Sequence, residues 1–151
     1  MFNLGLAIFL LSLVIGVALL GGQVSNFIDL PTLLLFVLPL FAVLLATRSL
    51  RTFIDGLRAV VNPREPCTEE LRGAAASLFR FLSRITALLC GLLVLIPLIN
   101  MLMGLDFADA GGARALAINL AATMMTPLYG LFLIAGVFEP AVFILKKRKG
   151  A

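Results

Sequence analysis

Few side chains in this 151-residue sequence are equipped for chemistry. Histidine is absent, and the only thiols are Cys67 and Cys90. Histidine-bearing triads and thiolate or imidazole metal sites cannot be assembled from that inventory. With no nucleophile–base pair either, the sequence reads as a non-enzyme with no cofactor. The polar groups of interest are hydroxyls and amides inside apolar stretches: Asn100, Asn119, Thr123 and Thr126. Thr123 and Thr126 lie deeper in their span than the two asparagines do in theirs. Their hydroxyls either bond back to a carbonyl of the preceding turn or line a packed or polar path.

The elements that must hold these groups are apolar throughout. Hydrophobic residues make up 62% of the chain and charged ones 13%, and the mean hydropathy is +1.13. A soluble domain of this size could not hide that much apolar surface. The sequence therefore predicts an all-α integral membrane protein, a single domain over 1–151, with the lipid bilayer as its solvent. Four spans are expected, at about 2–20, 30–46, 85–103 and 115–145. The first rises about 28 Å, close to the hydrocarbon thickness. A cleaved leader is the rival reading there, because Gly21-Gly22 follows. No basic residue precedes that run, and it is longer than a leader's apolar region.

Orientation follows from the basic residues. Seven arginines (Arg48, Arg51, Arg58, Arg64, Arg72, Arg80 and Arg84) fall between the second and third spans. Lys146, Lys147, Arg148 and Lys149 close the chain, and the other two loops hold only Arg114. Positive charge beside a span marks the cytoplasmic side, so both termini and the 47–84 segment are expected there. The net charge of +4 is absorbed by this pattern, and nucleic acid is not an expected partner.

In the 47–84 segment, Leu50, Phe53, Ile54, Leu57 and Val61 recur at helical spacing opposite Arg51, Asp55 and Arg58. They predict a short amphipathic helix, continuing the second span or lying at the headgroups. Asn62-Pro63-Arg64-Glu65-Pro66 ends it. Thr68 reads as an N-cap, with Glu69 and Glu70 in the first turn of a helix running into the third span. The segment is expected to form a short cytoplasmic helical hairpin, solvated or presented to a partner. A disulfide at Cys67 is not expected in that compartment, and Cys90, within a span, reads as a packing residue.

No Asp, Glu, Lys or Arg falls near the middle of any span, so no side chain here could relay a proton across the bilayer. Asn100 and Asn119 lie towards the outer ends, where headgroups or water can satisfy them. Pro39, Pro97, Pro127 and Pro140 are expected to kink their helices, as packing features or as hinges. Glu139, beside Pro140, is placed just inside the cytoplasmic boundary, where an arginine of the middle segment could pair with it.

Three stretches resemble the MotA/TolQ/ExbB superfamily, in its flagellar-stator MotA branch. Gly21-Gly22 followed by Phe27-Ile28-Asp29-Leu30-Pro31-Thr32 is similar to the family's GG-x4-FID-x-P-[ST] signature. Leu98-Ile99-Asn100-Met101-Leu102 with Leu105-Asp106 resembles the end of its third helix, and Leu128-Tyr129-Gly130 with Pro140 its fourth. The resemblance implies a homopentamer around a single-span partner whose membrane aspartate takes the proton, in a bacterial inner membrane. On it, Thr126 and Thr123 would line the ion path, and Pro97, Pro127 and Pro140 would shape the helices. The chain departs from the pattern at several positions. Leu93-Val94 stands where the family has Gly-Thr, Ala87 where it has proline, and Pro127 where it has the pore threonine. Leu38-Pro39-Leu40 replaces Gly-Gly-Thr, and the large cytoplasmic domain is reduced to 47–84. Two functions are therefore carried forward: the shell of a proton-motive-force-driven ion channel or stator, and a non-conducting scaffold derived from one.

Overall fold

The structure, a computed structural model, describes residues 2–19, 30–62, 67–103 and 112–147, the side chains of 112–115 excepted. Phe27, Ile28 and Asp29 of the signature loop, and Arg148 and Lys149 of the tail, lie outside the described residues. The described elements are all helical: α1 (Phe2–Leu19), α2 (Leu30–Ala46), α3 (Leu50–Val61), α4 (Glu69–Met103) and α5 (Gly112–Leu133). A π-helical turn, Ile134–Phe138, then joins α5 to α6 (Glu139–Lys147). α1, α4 and the stretch Leu116–Lys147 are each long and apolar enough to cross a membrane. α2 has 17 residues and rises about 25 Å, the short end of the spanning range. It reaches the same standard only together with α3, from which it is bent by 111°.

That bend removes one of the two arrangements expected for α3, continuation of the second span. Its cause is local. Arg48 has a φ of 51°, and its N–H bonds the Leu45 carbonyl while that of Ser49 bonds the Leu44 carbonyl, each at 3.0 Å. This pair of bonds is a Schellman turn, which closes a helix through one left-handed residue. The chain re-enters α3 at a sharp angle, directed by that residue.

α4 is a single helix of 35 residues, about 52 Å long. Its start is as expected: Thr68 Oγ1 accepts a bond from the Leu71 N–H at 3.3 Å, and Arg72 pairs with Glu69 at 3.0 Å. The first half of α4 meets α3 and α6 in the main core. Ala75, Phe79 and Leu82 of α4, Val60 of α3 and Leu145 and Ala141 of α6 are almost completely buried. Phe36, Leu40 and Leu44 of α2 extend this core. Among the described residues, α3 and the first half of α4 are thus the best packed, joined by α6.

α3 packs through part of the expected face, Leu50, Phe53 and Leu57, widened by small residues beside it. Ile54 and Val61 are exposed, while Gly56, Ala59 and Val60 are buried. The reason is volume. Gly56 lets the α3 backbone approach until a Cβ built there would stand 2.7 Å from Ala75 Cβ. Close backbone approach outweighs the burial of one more isoleucine.

α2, α4 and α5 continue through Pro39, Pro97 and Pro127. The α-helical hydrogen-bond pattern gives way only before Pro140. There the Glu139 N–H bonds the Ile134 carbonyl, five residues back. Pro140 offers no N–H, and one wide turn absorbs the mismatch.

Candidate functional site

α4 and α5–α6 run antiparallel, and three pairs fix their register. Ser83 Oγ donates to Glu139 Oε1 at 3.0 Å. Cys90 Sγ lies directly against Gly130, where an added Cβ would collide with it. Further along, Pro97 and Asn100 of α4 share a cavity with Asn119 and Thr123 of α5. The expected arginine partner for Glu139 is thus replaced by Ser83. Ion pairs among the described residues include Arg51–Asp55, at 3.9 Å and largely exposed, and Arg72–Glu69. The antiparallel register explains this: Ser83 is the α4 position level with Glu139, and Arg80 and Arg84 flank it on exposed positions.

Beyond Gly130 and Phe36, whose ring atom Cζ would lie 3.3 Å from a Cβ at that glycine, the three helices part. They leave a cleft of about 700 Å³ between α2, α4 and α5. Its apolar walls include Leu35, Leu93, Ile96 and Met101. Its polar groups are Thr32, Asn100, Asn119, Thr123 and Thr126. Thr123 and Thr126 are each 6% exposed, whereas Asn100 and Asn119 are open. Thr123 Oγ1 donates to the Asn119 carbonyl at 2.8 Å, the bond back to its own helix that the sequence allowed.

The cleft therefore brings together residues that the sequence placed separately. Thr123 and Thr126 lie deepest, and Pro97 forms part of the α4 wall. The two asparagines, expected at the outer ends of their spans, are cleft residues, which only the α4–α5 register could reveal. Thr32 arrives from the start of α2, immediately after Pro31, an exposed residue. Pro127 and Val94 are not among the described lining residues, while Leu93 and Thr126 are. Arg48, Arg51, Lys146 and Lys147 are all exposed at the opposite, charged end of the helices. Among the described residues no group of three or more Cys, Asp or Glu stands together as a metal site would need.

Chemically, the cleft can donate and accept hydrogen bonds, and none of its described lining residues ionises near neutral pH. It can hold a polar side chain or a partly hydrated cation, and its described residues offer no site for a stored proton.

Ser83 is a position the sequence gave no reason to single out. Thr86, one turn further, is completely buried, and its Oγ1 has no hydrogen-bond partner among the described residues. No family model, no curated protein and no solved structure matches this chain.

Proposed function

We propose that the chain is a multi-pass subunit of a bacterial inner-membrane complex, with four spans and both termini in the cytoplasm. It forms the shell of an ion channel or stator driven by the proton motive force, as its resemblance to the MotA branch of the MotA/TolQ/ExbB superfamily suggests. Several copies, five by that resemblance, surround a single-span partner that carries the membrane aspartate. The reading assigns the chain no catalytic step. The observation that carries it is the cleft: hydroxyls and amides gathered between stretches of α2, α4 and α5 that carry no charge, where polar groups persist only for packing or transport. Thr126 and Thr123 line the path, and the partner supplies the acid that this chain lacks.

A native mass spectrum of the complex extracted in mild detergent tests the assembly. Several copies with a small single-span protein are expected, and a partnerless monomer would overturn the reading. In vesicles loaded with a pH-sensitive dye, Thr126→Val in the assembled complex should slow proton entry about tenfold, the loss of one buried hydrogen-bonding group.

One observation favours a non-conducting scaffold instead. The Thr123 hydroxyl proton is already committed to the Asn119 carbonyl, and Leu93 adds bulk to the cleft wall. On that reading, Val94→Thr with Pro127→Thr causes no proton leak in cells even beside a partner.

A further inference from the structure

A second groove, of about 460 Å³, runs between α1 and the π turn–α6 stretch, away from the polar cleft. Phe2, Leu6 and Phe9 form one side, and Ala135, Pro140 and Phe143 the other. Two glycines shape it. A Cβ on Gly5 would meet nothing within 4 Å, so the space beside it is open. At Gly136 a Cβ would stand 3.1 Å from Phe9 Cε1, so this is where α1 closes onto the bundle. Phe9 and Phe132, in T-shaped contact at 6.5 Å, seal the same end. From Ala135 to Ile144 the groove is about 14 Å long, close to the depth of one leaflet of hydrocarbon.

The other end of the groove is positively charged. Lys147 Nζ sits 5.9 Å from the centre of the Phe143 ring, which is itself a wall of the groove, and Lys146 precedes it. An apolar slot one leaflet deep with ammonium groups at its mouth matches one ligand in both parts. From this charge complementarity we infer that the groove holds an acyl chain of an anionic phospholipid, with its phosphate at Lys146 and Lys147. The inference rests on the membrane placement proposed above, but not on ion conduction or on a partner.

The test uses the full chain purified in mild detergent, titrated with phosphatidylglycerol or with phosphatidylcholine of identical acyl chains and read by native mass spectrometry. Phosphatidylglycerol should bind about thirtyfold more tightly, each lysine near the phosphate contributing about fivefold. Lys146→Gln with Lys147→Gln should abolish the preference, leaving binding of the two lipids equal. Gly5→Leu, which fills open space on a helix that tolerates leucine, should weaken both lipids while circular dichroism stays unchanged. Equal binding of the two lipids by the unaltered chain would overturn the inference, as would unchanged binding by Gly5→Leu. Displacement of lipid by a second copy of the chain, seen as a lipid-free dimer, would overturn it too. Failure of the membrane placement looks different: the chain would then be recovered outside the membrane fraction before any lipid is added.

Discussion

Gly130, Gly56 and Gly136 each take the place of a side chain where two helices meet. At Gly130 the obstacle is Cys90 Sγ, backed by the Phe36 ring. Gly130→Ala should therefore destabilise the chain by about 1–3 kcal/mol, the usual cost of overpacking. Cys90→Ala in the same chain should recover part of the loss, because it clears the nearer obstacle. Thermal unfolding of the four variants in mild detergent measures the coupling, and strictly additive effects would contradict the contact. Thr86 makes the opposite case. Its buried hydroxyl has no partner among the described residues, and such a group costs about 1–3 kcal/mol. Thr86→Val keeps the shape and removes that cost, so the midpoint of thermal unfolding should hold or rise. A fall of several degrees would mean that the hydroxyl is used in an assembly. Cys90 was legible as a packing residue and Gly130 as part of a motif, but neither their contact nor the burial of Thr86 could be read from the sequence. Their meaning lies in the partner helix, and long-range register leaves no local pattern.

The helices themselves were far more legible than their packing faces. Proline, charge and apolar length marked the ends of α2 and α4 closely, because those signals act within a turn or two. α1 is uniformly apolar, so periodicity could not say that Phe2, Leu6 and Phe9 turn towards the bundle. In α3 the small residues Gly56 and Ala59 join Leu50, Phe53 and Leu57 on the contact face, which the spacing of large side chains alone could not say. The π turn before Pro140 was read only as a kink, since a proline states that a bond is lost but not how the backbone absorbs the loss. The turn at Arg48 was equally hidden, glycine being the usual residue for a left-handed position. Arg48→Gly should therefore raise stability by about 1 kcal/mol, measured as a higher melting midpoint in detergent. An unchanged or lower midpoint would show that the arginine's charge outweighs its backbone strain. Thr68→Ala should cost about 1 kcal/mol by removing the cap of α4, with Thr68→Ser largely retaining it.

For the whole molecule, composition foretold an all-helical, apolar chain with helices of spanning length. It could not locate the core. Burial is concentrated at the charged end, where α3, the first half of α4 and α6 meet, while α1 buries no residue fully. Amphipathic pattern identifies which residues avoid water, and in an apolar chain that criterion no longer separates the core from a surface facing lipid. The polar residues of the cleft were visible one by one, but their meeting depended on the antiparallel pairing of α4 with α5. On the proposed topology, reporter fusions after residue 62 and at the C-terminus should both be active in the cytoplasm, and one after residue 108 should not. A periplasmic signal at residue 62 would reverse the orientation. Replacing the seven arginines of the middle segment with glutamine should weaken that preference, leaving the C-terminal cluster to set it.

The placement of the core has a mechanical consequence. Ser83 with Glu139 and Cys90 with Gly130 tie the helices together at one end, whereas α2, α4 and α5 stand apart around the cleft at the other. Such a molecule is a set of levers with its fulcrum off centre. From the Cys90 contact to the end of α4 the arm is about 20 Å. A bend of about 10° in the helices at that contact therefore moves the far tip by about 3 Å, the width of one hydrogen-bonded contact, and leaves the clamped end in place. The aperture of the cleft would thus follow small bends at its closed end, beside Cys90 and Gly130.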